Sequence, residues 1–314
     1  MHDLYVSEHE AGQRLDRFLR KLLKAMPLAA IFKHVRNGTI RVDGKKVDGD
    51  LRLQPGMHVQ LHLPDADLKA AQQAIAPIAP LPPRPAAKSA RAALEPRVVH
   101  KDEQVLVVSK PAGLAVHGGS GQQHSVVAWL ATQRLGIRTG TFHPAPAHRL
   151  DRGTSGLLAI GLSPEGLRGL TAAFRAGTAH KTYWAIVHGI PARAQGSIVA
   201  PLLETPGGDR RDPKVVVDDR GRPARTDYEL VRSVRHLALL RVTPQEGRQH
   251  QIRAHLRHLG HAIVGDARYG SVADLGPTFL LHAGELELPH PRTGKLLRVT
   301  DPLPASFQQM LATE

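Results

Sequence analysis

Asp151 is the residue in this chain best placed to do chemistry. It lies in the run His148-Arg149-Leu150-Asp151-Arg152-Gly153-Thr154-Ser155-Gly156-Leu157-Leu158-Ala159-Ile160-Gly161, between two arginines. Neighbouring positive charge favours the ionised form of a carboxyl group. An ionised carboxylate can act as a nucleophile or a base. Gly153-Thr154-Ser155-Gly156 has the residue types of a turn. Leu157 to Ile160 is a short apolar run with a β-branched end, which predicts a strand covered on both faces. The same pattern would also serve an aspartate that caps the turn and pairs with an arginine.

Other groups could act beside it. Tyr183 falls in the expected strand His180–Val187, where core packing with a satisfied hydroxyl is the ordinary role. Glu246 to Leu256 is rich in arginine and histidine and reads as a helix continuing to Leu259. Histidines 250, 255, 258 and 261 cluster there without an H-E-x-x-H spacing or any cysteine, so core-capping or RNA-facing roles are expected and a metal is not. The glycines from Ala115 to Gly121 lack the lysine and hydroxyl residue of a phosphate loop, so no nucleotide is expected. No second carboxylate accompanies Asp151, which speaks against a glycan- or nucleoside-cleaving hydrolase.

The run from His148 to Leu158 resembles the signature H-R-L-D-x-x-T-S-G-L-L of the RluA-type pseudouridine synthases. Lys110-Pro111-Ala112-Gly113, the Lys181-x-Tyr183-x-Ala185 strand and Gly247-Arg248-Gln249-His250-Gln251-Ile252-Arg253-Ala254-His255 are similar to further family segments. So are Gly265–Gly270 and Leu280-Leu281-His282-Ala283, while Ala115–Gly121 is closest to the RluC-like branch. The resemblance weakens over 189–222. It implies that Asp151 is catalytic, that Arg253 pairs with it, and that Tyr183 lies against the target base. It also implies that Arg149 fills the gap left by a flipped nucleotide and that Leu281 lines the base pocket. No metal or organic cofactor is implied.

Three segments must position these groups. In residues 9–63, Leu15, Phe18, Leu19, Leu22 and Leu23 recur at helical spacing, Pro27 breaks the helix, and Leu28, Ile31, Phe32 and Val35 make a second apolar face ended by Asn37-Gly38. Strands are expected at Thr39–Val42 and Lys46-Val47, joined at Asp43-Gly44, and again at Met57–Leu63. Arg17, Arg20, Lys21, Lys33 and Arg36 on the outer helix faces suit a phosphate backbone. Arg14-Leu15-Asp16-x-Phe18-Leu19 with Gly38-x-Ile40-x-Val42-Asp43-Gly44-Lys45-x-Val47 is similar to the S4 RNA-binding domain. Residues 64–96 hold seven of the 24 prolines and read as a tether, with a helix expected at Ala66–Ile75. Residues 97–313 read as one α+β domain. Buried strands are expected at Val98-Val99 and Val105–Ser109, helices at Ser125–Leu135 and Gly166–Gly177, and strands at Arg225–Val231 and Leu237–Val242. The fold implied by the resemblance is a mixed, mostly antiparallel sheet flanked by helices.

The whole composition agrees with a polyanionic partner. The 314 residues carry 42 Lys and Arg against 28 Asp and Glu, a formal charge of +14, which attracts nucleic acid first. There is no cysteine, so thiolate chemistry and disulfides are excluded. No apolar run of about 20 residues and no secretory leader is seen, so a cytoplasmic protein that avoids membranes is expected, and a monomer. The expected function is isomerisation of uridine in large-subunit ribosomal RNA. The alternatives are a tRNA uridine, or a non-catalytic RNA-binding or ribosome-assembly protein. Arg210-Arg211-Asp212-Pro213-Lys214 is expected to contact RNA.

Overall fold

In the computed structural model, residues 2–64, 94–118, 124–133, 135–137, 141–205 and 214–312 are described. The chain divides into two compact units, one made by the N-terminal residues with 137–143, the other by the rest of the chain from residue 88.

In the first unit, strands β1 (His2–Tyr5), β2 (Ile40–Val42) and β3 (His58–Leu61) form an antiparallel sheet in the order β1-β3-β2. Helices α1 (Leu15–Leu22) and α2 (Leu28–Arg36) bury Leu15, Phe18, Leu19, Ile31 and Val35 in its core. Pro27 precedes α2 where its missing N–H costs nothing. The sheet takes β1 from residues ahead of residue 9, whose short, half-exposed alternation gave little signal. Lys46-Val47 forms no strand. Asp43 and Gly44 both adopt positive φ, the turn closes on a single Val42–Lys45 bridge, and the chain then leaves the sheet. The helix expected at Ala66–Ile75, most of the tether, and Arg210–Pro213 lie outside the described residues.

The second unit is built on a sheet ordered β4-β5-β7-β14-β8-β13-β12-β9. Its strands are β4 (Arg97–Lys101), β5 (Val105–Lys110), β7 (Ser155–Gly161), β8 (His180–His188), β9 (Gln195–Val199), β12 (Arg225–Val234), β13 (Leu237–Pro244) and β14 (Leu281–Pro289). Strand β6 (Ala145–Pro146) pairs with β7, and β15 (Leu296–Thr300) with β14. A separate hairpin joins β10 (Leu202–Thr205) to β11 (Lys214–Val217), so the region matched weakest in sequence adds strands of its own. Among the described residues only β7 and β14 pair in parallel, through Ser155–His282 and Gly156–Ala283. The arrangement is the mixed, mostly antiparallel sheet expected.

Both faces are covered, which is why β7 is buried at every position. Leu158 and Ile160 face a core with Val126 and Leu130 of α3 (Val126–Thr132) and Ile252 and Leu256 of α5 (Gln251–His258). Leu157 and Ala159 face Leu170 of α4 (Pro164–Ala176). Phe307 and Leu311 of α6 (Ala305–Ala312) cover Ile186 and Leu239. Ser163 caps α4 by accepting from Gly166 N at 2.9 Å, and Gly177 ends the helix in the left-handed conformation. Val98-Val99, expected as buried, lies on the edge strand β4, where Val98 is 46 % exposed. Two adjacent valines carry no information about whether a neighbour strand or solvent lies beyond them.

Candidate active site

Asp151 is placed by the end of β7 and the turn ahead of it. Its carbonyl accepts from Thr154 N at 3.1 Å, which closes the turn. Two glycines allow the close approach this needs. A Cβ on Gly153 would stand 2.4 Å from the Phe279 ring. Gly156 has φ +107°, and a Cβ there would lie 2.2 Å from the carbonyl oxygen of Ala283 on β14. The parallel pairing of β7 with β14 therefore depends on glycine in the signature.

Arg253 comes from α5 and reaches the same carboxylate. Its Nη1 donates to Asp151 Oδ2 at 2.9 Å. Its other edge is held by Asp266, with Nε to Oδ2 at 2.7 Å and Nη2 to Oδ1 at 3.0 Å. This is a bidentate fork, the strongest form of guanidinium–carboxylate pairing. The guanidinium lies 4.5 Å from the Phe279 ring centre and 4.9 Å from that of Tyr269, so its faces and edges are both engaged. Burial by itself would lower its pKa, but the carboxylates of Asp266 and Asp151 outweigh that and leave it raised. Arg253 is thus a fixed positive charge.

Asp151 is the exposed member of this group, its side chain 16 % accessible against 1 % for Asp266. Oδ2 takes the Arg253 bond, while Oδ1 accepts no hydrogen bond from a described residue. One oxygen is anchored by Arg253 and the other is not.

Tyr183 lies on β8 opposite Ala283 and Val242, in the core cluster that also holds Leu150, Ile252 and Phe279. Its hydroxyl bonds to no described residue. Burial raises its pKa well above the ordinary phenol value, and the charge of Asp151 adds to this, so the phenol keeps its proton at neutral pH. Leu281 is 3 % exposed on β14, opposite Ala185 and in the same cluster. Arg149 is exposed and bonds to no described residue. The structure therefore brings Asp151 and Arg253 into contact, sets Tyr183 and Leu281 in the adjoining core and turns Arg149 outward. Arg17, Arg20, Lys21, Lys33 and Arg36 are exposed on α1 and α2, and none of them pairs with a carboxylate among the described residues. Among the described residues no group of three or more histidine, aspartate or glutamate side chains could hold a metal. His255 instead spans Thr226 Oγ1 at 2.8 Å and the Ala200 carbonyl at 3.0 Å, a core-capping role. No helix among the described residues is long and apolar enough to cross a membrane.

Several groups at the site escaped sequence reasoning. Asp266 and Tyr269 sit in Gly265–Gly270, which matched the family without suggesting a task. Phe279 precedes Leu281 and is one of the two rings over Arg253. Lys110 ends β5 fully buried, with Nζ donating to the carbonyls of Leu114 at 2.8 Å, Pro111 at 3.1 Å and Arg152 at 3.2 Å. It ties the loop that carries Asp151 to the KPAG turn. Burial lowers its pKa to about 7 against the opposing charge of Asp151. The KPAG segment resembled the family, but a lysine in a turn reads as solvated, so nothing in the sequence marked its burial.

The chain is similar to known proteins over nearly its whole length. Residues 104–258 match the family described as RNA pseudouridylate synthase. The chain is similar to the ribosomal large subunit pseudouridine synthase C of Pasteurella multocida (strain Pm70), at 34% identity over 98% of this chain and 92% of that one. It is 32% identical to the protein of that name from Escherichia coli (strain K12), over 98% of this chain and 94% of the relative. Among solved structures, human RNA pseudouridylate synthase domain containing 4 superposes with a TM-score of 0.57 and 25% identity, over 71% of this chain and 94% of the other.

Proposed function

The chain belongs to the RNA pseudouridylate synthase family, and from that membership we propose that it isomerises uridine to pseudouridine in large-subunit ribosomal RNA. The observation that carries the reading is the Asp151–Arg253 contact at 2.9 Å, with the second carboxylate oxygen accepting no hydrogen bond from a described residue. The target is ribosomal because both relatives compared over nearly the full chain are ribosomal large subunit enzymes by name.

The reaction breaks the C–N bond between uracil N1 and ribose C1′, turns the base, joins C5 to C1′, loses the C5 proton and places one on N1. The atoms balance without a co-reactant. The target nucleotide must leave the helix to reach the enzyme, and Arg149 occupies the space it vacates. Asp151 Oδ1 then acts at the sugar, adding to C1′ or removing a ribose proton; both routes need an ionised oxygen held still. Arg253 holds it, and Asp266 holds Arg253. Tyr183, kept protonated by burial, presses on the uracil and relays the C5 proton rather than acting as a phenolate. Leu281 and its buried neighbours keep water from the reacting groups, which prevents loss of the detached base to hydrolysis. No metal or organic cofactor enters these steps.

The N-terminal unit acts as an S4-type RNA-binding domain, with Arg17, Arg20, Lys21, Lys33 and Arg36 facing phosphates. Residues 64–96 tether it, which raises the local concentration of RNA at the catalytic domain, 97–313. The protein works as a monomer in the cytoplasm. The test is to map pseudouridines in total RNA, by chemical probing, from cells with and without the protein. Loss of one or more sites in large-subunit rRNA supports the reading. Loss confined to tRNA moves the target, and an unchanged map with tight RNA binding favours a non-catalytic RNA-binding protein.

A further inference from the structure

Beside the anchored carboxylate lie two buried groups that the mechanism above does not use, His250 and Tyr269. We propose that His250 is a positioning residue for Asp151: a neutral imidazole whose hydrogen is set on Nε2 by Tyr269, and whose Nε2–H joins Arg253 in holding the carboxylate by Oδ2. The inference rests on Asp151 as the reacting acid, but its core, the tautomer, can be measured without turnover.

The polarity of the chain follows from hydrogen-bond accounting. Tyr269 is 4 % exposed, and burial pushes its pKa up to about 12, so the phenol carries its proton at physiological pH. Its oxygen already accepts from Val215 N at 3.2 Å. The phenolic hydrogen needs an acceptor of its own, because an unsatisfied buried donor is costly. Among the described residues, His250 Nδ1 at 3.0 Å supplies it. An imidazole that accepts at Nδ1 carries its hydrogen on Nε2. The reverse polarity, with Nδ1–H donating to the phenol, would leave the phenolic hydrogen with no acceptor among the described residues.

Nε2 stands 3.8 Å from Asp151 Oδ2, the oxygen that also receives Arg253. That separation is long for a hydrogen bond, and contacts of this kind tighten as substrate closes a site. A second donor on Oδ2 fixes the rotation of the carboxylate that Arg253 alone would leave loose, and presents Oδ1 to the ribose. The backbone is bent to permit it. His250 has φ +51° and ψ +19° immediately ahead of α5, a left-handed conformation that non-glycine residues adopt at a cost. The ring then stands edge-on to Tyr269, with centres 5.8 Å apart and planes at 90°. Val215 lies on β11, so the β10–β11 hairpin is linked to the carboxylate through three side-chain or backbone groups. This gives a task to the part of the chain that matches the family signatures least.

The experiment is nitrogen NMR of the protein labelled with 15N-histidine, with His250→Gln used to assign the His250 signals, alongside steady-state kinetics on an rRNA transcript. The wild-type spectrum should show Nδ1 unprotonated and Nε2 protonated. Tyr269→Phe keeps the ring against Arg253 and removes only the hydroxyl. It should shift the His250 signals towards the other tautomer and lower kcat about tenfold, the scale of one weak contact to a charge, with KM for RNA unchanged. His250→Gln, which keeps an N–H donor, should retain more activity than His250→Leu. A wild-type spectrum with Nδ1 protonated, or a Tyr269→Phe enzyme with unchanged tautomer and unchanged kcat, overturns the proposal. Full activity in Asp151→Asn would instead overturn the role of Asp151 while leaving the tautomer assignment standing.

Discussion

Asp266→Asn tests how the Asp151 carboxylate is held. Asp266 is 2 % exposed and makes two bonds to the Nε–Nη2 edge of a guanidinium that is itself buried. Asparagine keeps the shape but loses the charge, and it offers one oxygen and one NH2 to a group that only donates. One of the two bonds is therefore lost, and an N–H is turned against a cation. Removing one partner of a buried ion pair costs about 3–5 kcal/mol, because the remaining charge stays buried without compensation. Here Asp151 still supplies one bond, which puts the cost at the lower end, about 3 kcal/mol. For a domain of this size each kcal/mol moves the midpoint by about 2–4 °C, so Tm should fall by about 10 °C. Asp151→Asn should cost far less, since that side chain is partly exposed and Asp266 keeps its fork on Arg253. Thermal and urea unfolding of both variants, followed by kinetics on the folded fraction, checks this. Asp266→Asn should also lose kcat, because Arg253 is no longer fixed. Stability within about 0.5 kcal/mol of wild type, the usual range of a surface substitution, would refute the clamp.

Two further outcomes follow. Burial pushes the pKa of His148 down to about 3, with Lys181 adding to the effect. The unfolded chain then binds more protons than the folded one between about pH 3 and the ordinary histidine value near 6.5, so stability is full above that value and lost as pH falls towards 3. His148→Gln should lose less stability than wild type between pH 6.5 and 4, the difference growing by at most about 1.4 kcal/mol per pH unit, read by urea unfolding at each pH. Replacing Arg17, Arg20, Lys21, Lys33 and Arg36 by glutamine should weaken RNA binding and flatten its dependence on salt concentration, each lost phosphate contact reducing the logarithmic slope by about 0.7–0.9. Wild-type affinity and slope in a salt titration would show that these side chains face solvent only.

The parts of the site that were legible in the sequence are those whose information is local. The turn, the apolar run after it and the carboxylate at its head sit within fourteen consecutive residues, and β7 formed where that pattern put it. The helix carrying Arg253 was expected as the continuation of a family-like segment, and its bond to Asp151 was readable only through that resemblance, since the two lie 102 positions apart. Asp266, Tyr269 and Phe279 act on Arg253 through tertiary contacts that no spacing encodes. Lys110 and Val98 show the same gap from opposite sides. A lysine in a turn proved fully buried, and a valine in an apolar pair proved half exposed, because burial depends on which strand lies alongside. The β9 to β11 region was missed for a different reason, its strands being short and half polar.

The central claim is that one oxygen of Asp151 performs the chemistry while Arg253 holds the other. The most direct measurement is tritium release from an rRNA transcript carrying 5-tritiated uridine, with wild-type enzyme and Asp151→Asn, and RNA affinity measured in parallel. The variant should release no tritium and bind RNA with an affinity close to wild type, because asparagine nearly preserves size. Turnover by Asp151→Asn would contradict it.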